Sequence, residues 1–388
     1  MERAVPHAEP TWPPLPAEAP RLRLAWMEEW MSALASQVLP HLARRHDIYY
    51  VTAGDEVPRA DFRDVIRARR WPYMNLAGLE LSHRVNRLYR DGLIDLAVVW
   101  SSIGFGLRGV PFINLEGGSV YAQIRLFASR APVYRRAAFL TGFVHYAVPE
   151  ILCNRRAARV VVPSQALRRD LIEIHGLPED TVSVVPHGVE PAHLALYERR
   201  TPGIPSRILF VGRLHAGKGI AGVVREFVRR RDIAADLVIA GDGPERRAVE
   251  AAAAGDDRVK VLGSVGRAAL DSLLLTTDVF MFPTLYEGFG LALVEAMASG
   301  HACVAYDIPV VREVLGDGGV LVTAGDAAAM VGAVARMVEN PQAISAYAAQ
   351  AHARARRLSW EAAQASIEDV IHETVAELRR PRGKEPCA

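Results

Sequence analysis

Short apolar segments recur along this chain, most followed by a stretch of helical character, and the series runs twice. In the first half they are "RLRLAW" (Arg21 to Trp26), "DIYYVTA" from Asp47, "IDLAVVW" (Ile94 to Trp100), "VPFINLE" (Val110 to Glu116) and "ARVVVPS", which ends at Ser164. In the second half they are "RILFVG", "ADLVIAGDG", "VKVLGSV", "DVFMFPT", "HACVAYD" and "GGVLVTAGD". Strands that alternate with helices argue for parallel sheets covered on both faces. Helix punctuation is present as well: "SQALRRDLIEIHG" opens on a capping serine, Ser164, and closes on Gly176.

Between the two series, "HGVEPAHLALYERRTPGIPS" concentrates proline, glycine and charge, which places a boundary near residues 190–205. The length, 388 residues, suits two domains of ordinary size. The expected organisation is a disordered Pro-rich lead over 1–20, a Rossmann-like domain over 21–190, a second over 191–358, and a terminal helix over 359–380 packing back toward the first. Two doubly wound domains facing each other leave a cleft at the carboxyl ends of their strands, where a nucleotide-linked ligand sits.

Composition narrows the class. A net charge of +2 supplies no bulk field to draw the chain to nucleic acid. Cys153, Cys303 and Cys387 lie far apart and form neither a disulfide framework nor a zinc knuckle, which fits a reducing cytoplasm. No apolar run approaches the roughly 18 residues of a membrane span. The lead "MERAVPHAEPTWPPLPAEAP" lacks the apolar core of a signal peptide. Basic charge is almost wholly arginine, with lysine only at 218, 260 and 384, a composition that, with abundant alanine, hints at a GC-rich bacterial genome.

One of those lysines sits in "ILFVGRLHAGKGI". Gly212, Gly217 and Lys218 reproduce most of a phosphate-binding P-loop, but the position that should carry a Mg²⁺-ligating hydroxyl holds Gly219. No convincing acidic Walker B strand accompanies it, so a P-loop NTPase is set aside. A second reading uses the residues present: Arg213, a bidentate fork, and Lys218, a compact charge, lie on one loop after a strand and can address a diphosphate. Taken alone, the loop is equally well a surface loop with two solvated cations.

"PTLYEGFGLALVEAMASG" shifts that balance. Glu287 lies where a strand gives way to a Gly-rich turn, and Glu295 lies in the following helix. Backbone N–H groups of Phe289, Gly290 and Leu291 at the helix start form a natural anion site. Glu295 suits the two hydroxyls of a ribose, although each glutamate alone also reads as a cap or an exposed helix charge.

"VSVVPHGVE", "VGRLHAGKG", "AGDGPE", "VLGSV" and "PTLYEGFGLALVEAMASG", in this order and spacing, resemble the retaining glycosyltransferases of family 4, which have the GT-B fold. The resemblance is densest from Val160 to Asp326, and "LSWEAAQ" matches the family's terminal helix. It implies a transferase that moves a hexose-type sugar from a nucleotide diphosphate sugar to a small-molecule, glycan or lipid acceptor. It implies that Arg213 and Lys218 hold the diphosphate, that Glu287 and the backbone of Gly288, Phe289, Gly290 and Leu291 meet the sugar and its phosphate, and that Glu295 binds the ribose. Main-chain atoms around Ser264 and Val265 would recognise the base; UDP is the commonest base carrier, with GDP and TDP left open. Gly188 would let the interdomain strand turn close to the ligand, with His187 a hinge or packing residue. No metal or other cofactor is expected, because the chain contains no Asp-x-Asp; its nearest acidic pair, Asp256-Asp257, reads as exposed.

The N-terminal half fits the family poorly. The Gly-rich turn common after the first strand is replaced by "WMEEWMSA", and Gly117 stands where a family histidine usually ends the strand "PFINLEGGS". Glu28, Glu29, Trp30, Glu116 and Ser119 are therefore the candidate acceptor contacts; for Glu28 and Glu29 a simple helix-start preference is the alternative. The arginine–aromatic runs "RDVIRARRWPYMN" and "VYRRAAFLTGF" could rest peripherally on a membrane if the acceptor is a lipid, or be solvated helix faces. A pseudo-glycosyltransferase coupling a nucleotide-linked cyclitol to a non-sugar acceptor and an inactive nucleotide-sugar-binding module are the competing functions. Oligomeric state is not legible.

Overall fold

The computed structural model describes residues 20–29, 31–69, 71, 74–130, 142–200 and 207–380. Within them the two strand series form two separate parallel sheets. The first contains β1 (Arg23–Glu28), β2 (Asp47–Thr52), β3 (Asp64–Arg67), β4 (Leu96–Trp100), β5 (Phe112–Leu115), β6 (Arg159–Val162) and β7 (Val182–Val184), in the order 3-2-1-4-5-6-7. The second contains β8 (Arg207–Val211), β9 (Asp236–Ala240), β10 (Val259–Gly263), β11 (Val279–Phe282), β12 (Ala302–Tyr306) and β13 (Gly319–Val322), in the order 10-9-8-11-12-13. Every pairing in both sheets is parallel.

The strands read as apolar runs because helices cover both faces. β4, β11 and β12 bury nearly every residue. In each sheet the winding reverses direction once, between β1 and β4 and between β8 and β11. A crevice opens at such a reversal because the connections on either side leave toward opposite faces. The residues that follow β1, β4, β8 and β11 are therefore the ones the fold delivers to a ligand.

Two strands escaped the sequence reading. β3 lies inside the arginine–aromatic run: Val65 and Ile66 are half-buried and pair with β2, while charged residues flank them. Its described part is an edge strand, not a solvated helix face. Beyond it, the Arg69 guanidinium stacks 5.0 Å from the Trp71 ring, whose N–H donates to Glu80 at 2.8 Å. Most of the second run, residues 133–143, lies outside the described residues, as do residues 1–19 of the lead and Trp30. β7, only three residues long, sits within "VSVVPHGVE".

The helix Pro191–Arg199 and the residue after it pack on the second sheet's side: Tyr197 stacks on His352 at 4.0 Å, and Arg200 binds Asp278 at 2.8 Å. The helix Trp360–Arg379 lies instead against the helix Ala33–Arg45 of the first half. There the Glu368 carboxylate accepts from Arg45 at 2.7 Å and faces ring nitrogens of His41 at 2.9 Å and His46 at 3.2 Å. His46, Glu368 and His372 have metal-ligand chemistry among the described residues. The Leu22 amide, however, donates to His46 Nδ1 at 3.3 Å, so the other nitrogen carries the proton offered to Glu368, and the cluster reads as an ion-paired helix contact.

Gly188 is required by packing: a Cβ there would collide with the backbone of Ser359 and Trp360, so the glycine admits the start of the terminal helix. Val189 then pairs with that segment through the Leu358 carbonyl at 3.0 Å.

Candidate active site

The cleft between the sheets holds a cavity of roughly 350 Å³. The first half contributes Ser32, Leu34, Trp100 and Gly117; the second contributes Lys218, Glu287 and the turn into the helix Leu291–Ala298. His187, on the connection between the halves, closes one side.

Lys218 and Glu287 form an ion pair inside this cavity, with 17% and 15% of their side chains exposed. The loop after β8 delivers the lysine. Gly219 has φ +65°, and a Cβ on it would press on the Pro283 carbonyl. A serine or threonine cannot stand there, which is why this loop departs from the P-loop. Gly217 N–H donates to His215 Nδ1 at 3.1 Å and tightens the turn. Burial, then the charges of Lys218 and Arg213, keep His215 below its ordinary pKa, so that nitrogen stays an acceptor. Arg213 stands exposed on the same loop.

Glu287 is held from its own side by the Thr284 hydroxyl, which donates to Oε1 at 3.2 Å. After it the chain turns through Gly290 at φ +93°, and no side chain caps the helix that follows. That helix start faces the cavity, so its dipole and amides are available to an anion. Glu295, further along the helix, is lifted to about 7 by burial, with Arg267 opposing. Ser264 is exposed and Val265 half-buried just after β10.

The fold therefore gathers Lys218, Glu287, Phe289, Gly290 and Leu291 around one cavity. Gly288 serves the closure of the cleft. It lies against the Gly117 carbonyl of the opposite half with no room for a Cβ, and its own carbonyl accepts from the Ser164 hydroxyl at 2.9 Å. Two residues earlier, Tyr286 extends the contact: the Ser119 amide donates to its hydroxyl.

The acceptor candidates are placed differently. Glu28 is buried, accepting from the Tyr50 hydroxyl at 2.7 Å and from the Ser32 amide at 3.2 Å. Burial raises its pKa to about 7, the Tyr50 bond opposing. Glu116 lies beneath the cleft, 2% exposed, accepting from the side-chain amides of Asn114 at 3.1 Å and Asn154 at 3.3 Å. Burial, then the neighbouring Glu150, pushes its carboxyl well above the usual range. Ser119 is buried and caps the helix Val120–Arg130 through the Ala122 amide at 3.2 Å. Glu29 is half-buried near the end of β1. Glu28, Glu116 and Ser119 thus shape the cleft from behind, in the positions this structure gives them.

Asp256, expected to be exposed, is also buried: Arg258 binds it at 2.7 Å and Arg231 at 3.1 Å. His187 fits its expected packing role, between the rings of Phe289 at 5.2 Å and Trp360 at 5.7 Å, with burial lowering its pKa to about 4. The residue that sequence reasoning missed is Trp100. Its only signal was a tryptophan ending an apolar strand, which carries meaning once β4 is known to flank the reversal point.

Comparison with known proteins agrees with this architecture. Residues 31–193 match the family described as "Glycosyltransferase Family 4", and residues 205–340 match "Glycosyl transferases group 1". Over 342 residues the chain is 33% identical to a phosphatidyl-myo-inositol mannosyltransferase of Mycobacterium tuberculosis, covering 84% of both proteins. The chain belongs to glycosyltransferase family 4.

Other similar proteins align over different lengths. A 2-deoxystreptamine glucosyltransferase of Streptomyces kanamyceticus is 26% identical over 336 residues, 82% of this chain and 80% of that one. A phosphatidyl-myo-inositol mannosyltransferase of Mycolicibacterium smegmatis is 34% identical over 215 residues, 53% of this chain and 54% of that protein, so there the chain spans about half the relative's length. Among solved structures, sucrose-phosphate synthase from Thermosynechococcus elongatus superposes with a TM-score of 0.72 at 17% identity, covering 92% of this chain and 100% of that one. Anabaena HepE in complex with UDP-glucose superposes with a TM-score of 0.67 at 17% identity, covering 91% and 100%. The fold of this family 4 chain is GT-B. Among the described residues, no helix is long and apolar enough to cross a membrane.

Proposed function

We propose that this protein is a retaining, metal-independent glycosyltransferase that moves a hexose-type sugar from a nucleotide diphosphate sugar to a small-molecule, glycan or lipid acceptor. The observation that carries this reading is the Lys218–Glu287 pair, set in the cleft beside the start of the helix Leu291–Ala298. Breaking a sugar–diphosphate bond builds negative charge on the leaving phosphate and positive charge on the sugar. Lys218, Arg213 and the helix start answer the first charge in a water-poor cleft. A diphosphate is a stronger partner for Lys218 than one carboxylate, so its arrival releases Glu287 toward the sugar. Glu295 takes the ribose hydroxyls, and the main chain at Ser264 and Val265 meets the base. Retention follows from the family's chemistry, in which the acceptor attacks from the face the phosphate leaves.

In this reading residues 21–190 form the acceptor domain and 191–358 the donor domain. The Anabaena protein's complex with UDP-glucose supports a UDP-sugar donor, and GDP- and TDP-sugars stay in the panel as alternatives. A cytoplasmic location suits a soluble nucleotide-sugar supply. A thermal-shift panel of UDP-, GDP- and TDP-sugars tests the proposal. At least one should raise the melting temperature; a flat response to all of them rejects it.

A further inference from the structure

Trp100 ends β4, the strand that flanks the reversal point of the first sheet, and its indole lines the same cavity as Lys218 and Glu287. It is half-buried, so part of its indole stays open to the cavity, across from the charged pair Lys218 and Glu287.

Its position is built by its neighbours. A Cβ on residue 117 would lie 3.1 Å from Trp100 Cζ2 and 3.4 Å from Cη2, so Gly117 leaves the space that the indole's benzo edge uses. Ser101, directly after the tryptophan, has φ +55°, and among the described residues no other non-glycine residue has a positive φ. A left-handed serine is strained, and such strain persists only where its surroundings hold it. Here the Ser101 carbonyl accepts from the Cys153 thiol at 3.3 Å, and its hydroxyl faces the buried Glu116 carboxyl. Glycine at 117 and the turn at 101 therefore both serve the placement of one ring.

We infer that Trp100 is a specificity-determining residue of the acceptor site, its indole packing on the apolar face of a six-membered polyhydroxylated ring presented to the sugar held at Glu287. A flat aromatic surface contributes binding to a ring whose C–H groups share a face, and contributes much less to a flexible open-chain polyol, which presents no such face. The inference deepens the proposed function and rests on the donor lying at Lys218 and Glu287. Gly117, standing where the family histidine usually is, fits this placement: even a Cβ there would crowd the indole edge.

The full chain labelled with 5-fluorotryptophan tests it by ¹⁹F NMR, the Trp100 signal being assigned with Trp100→Phe. The protein is saturated with UDP or GDP, whichever binds, and titrated with myo-inositol, methyl α-mannopyranoside or, as the open-chain control, mannitol. The Trp100 signal should move saturably with at least one ring compound and stay in place with mannitol. Trp100→Phe should weaken that ring's binding at least tenfold while nucleotide affinity stays within twofold. A Trp100 signal that no ring compound moves, or that moves only with an intact nucleotide sugar, overturns the assignment and leaves the donor site standing. Failure of both nucleotides to bind in calorimetry removes the proposed function and this inference together.

Discussion

Gly288 of one half and Gly117 of the other touch through their backbones: the Gly117 carbonyl excludes a Cβ at 288, and a Cβ at 117 would sit tightly against the Trp100 ring. The contact joins the loop that carries Glu287 to the loop after β5. Closure of the cleft thus depends on a glycine at 288. The Glu313 carboxylate reinforces it by accepting from the amides of Gln165 at 2.8 Å and Ala166 at 2.9 Å, capping a helix of the opposite half.

Gly288→Ala should therefore leave both halves folded while holding them apart. Small-angle scattering should show a larger radius of gyration, and transfer should fall by at least about tenfold, or roughly 1.4 kcal/mol of barrier. Wild-type compactness and wild-type turnover in the variant would mean that the contact is incidental.

Glu295→Ala should harm nucleotides with a ribose more than their 2′-deoxy counterparts. In the proposed reading the carboxylate accepts from two ribose hydroxyls, and deoxyribose removes one. A hydrogen bond to a charged group is worth about 1.5–3 kcal/mol. Equal losses for UDP and dUDP in calorimetry would detach Glu295 from the ribose.

Burial lifts the Glu28 carboxyl from an ordinary 4.5 to about 7. Between those values the folded chain holds a proton that the unfolded chain has lost. The stabilisation from this group is complete below pH 4.5 and disappears as pH rises through 7. Glu28→Gln has no such proton, so its stability relative to wild type should climb across that window, by at most about 1.4 kcal/mol per pH unit. The Ser32 amide, which loses an acceptor, sets a constant offset; only the slope reads the proton. Urea denaturation at several pH values measures it, and a flat difference would show that Glu28 is ionised throughout.

The second half's share of the cleft was legible because its signals are local. A strand, a loop with Gly212, Gly217 and Lys218, and a turn running into a helix stand contiguous in the sequence, and the GT-B fold brings the two segments together at Lys218 and Glu287. The first half's share was not, because there the meaning of a residue depends on sheet order. Glu28, Glu116 and Ser119 look like cleft residues from their places after β1 and β5, yet three-dimensional packing turns them into buried supports. Trp100 shows the reverse, an apolar strand end delivered to the cleft by the reversal between β1 and β4. Asp256 was misread for the same reason, since its Arg231 pairing is tertiary, and the packing that requires Gly188 likewise comes from the far end of the chain, at Ser359–Trp360.

Transfer should proceed in excess EDTA. No Asp-x-Asp occurs in the sequence to hold a divalent ion on a diphosphate, and Arg213, Lys218 and the helix start after Gly290 supply positive charge in its place. Added Mg²⁺ or Mn²⁺ should change turnover of the best donor modestly. Complete loss in EDTA, restored by the metal, would show that this charge balance is wrong.

The most direct measurement is calorimetric titration of UDP and GDP into the wild-type protein and into Lys218→Ala and Arg213→Ala. Removing one partner of a desolvated charge pair costs about 2–5 kcal/mol. At least one nucleotide should bind the wild type, with Lys218→Ala weakening it by roughly 30-fold or more, Arg213→Ala weakening it in the same direction, and both variants still melting cooperatively. Unchanged affinity in the folded Lys218→Ala variant would contradict the assignment of this cleft to a nucleotide diphosphate sugar.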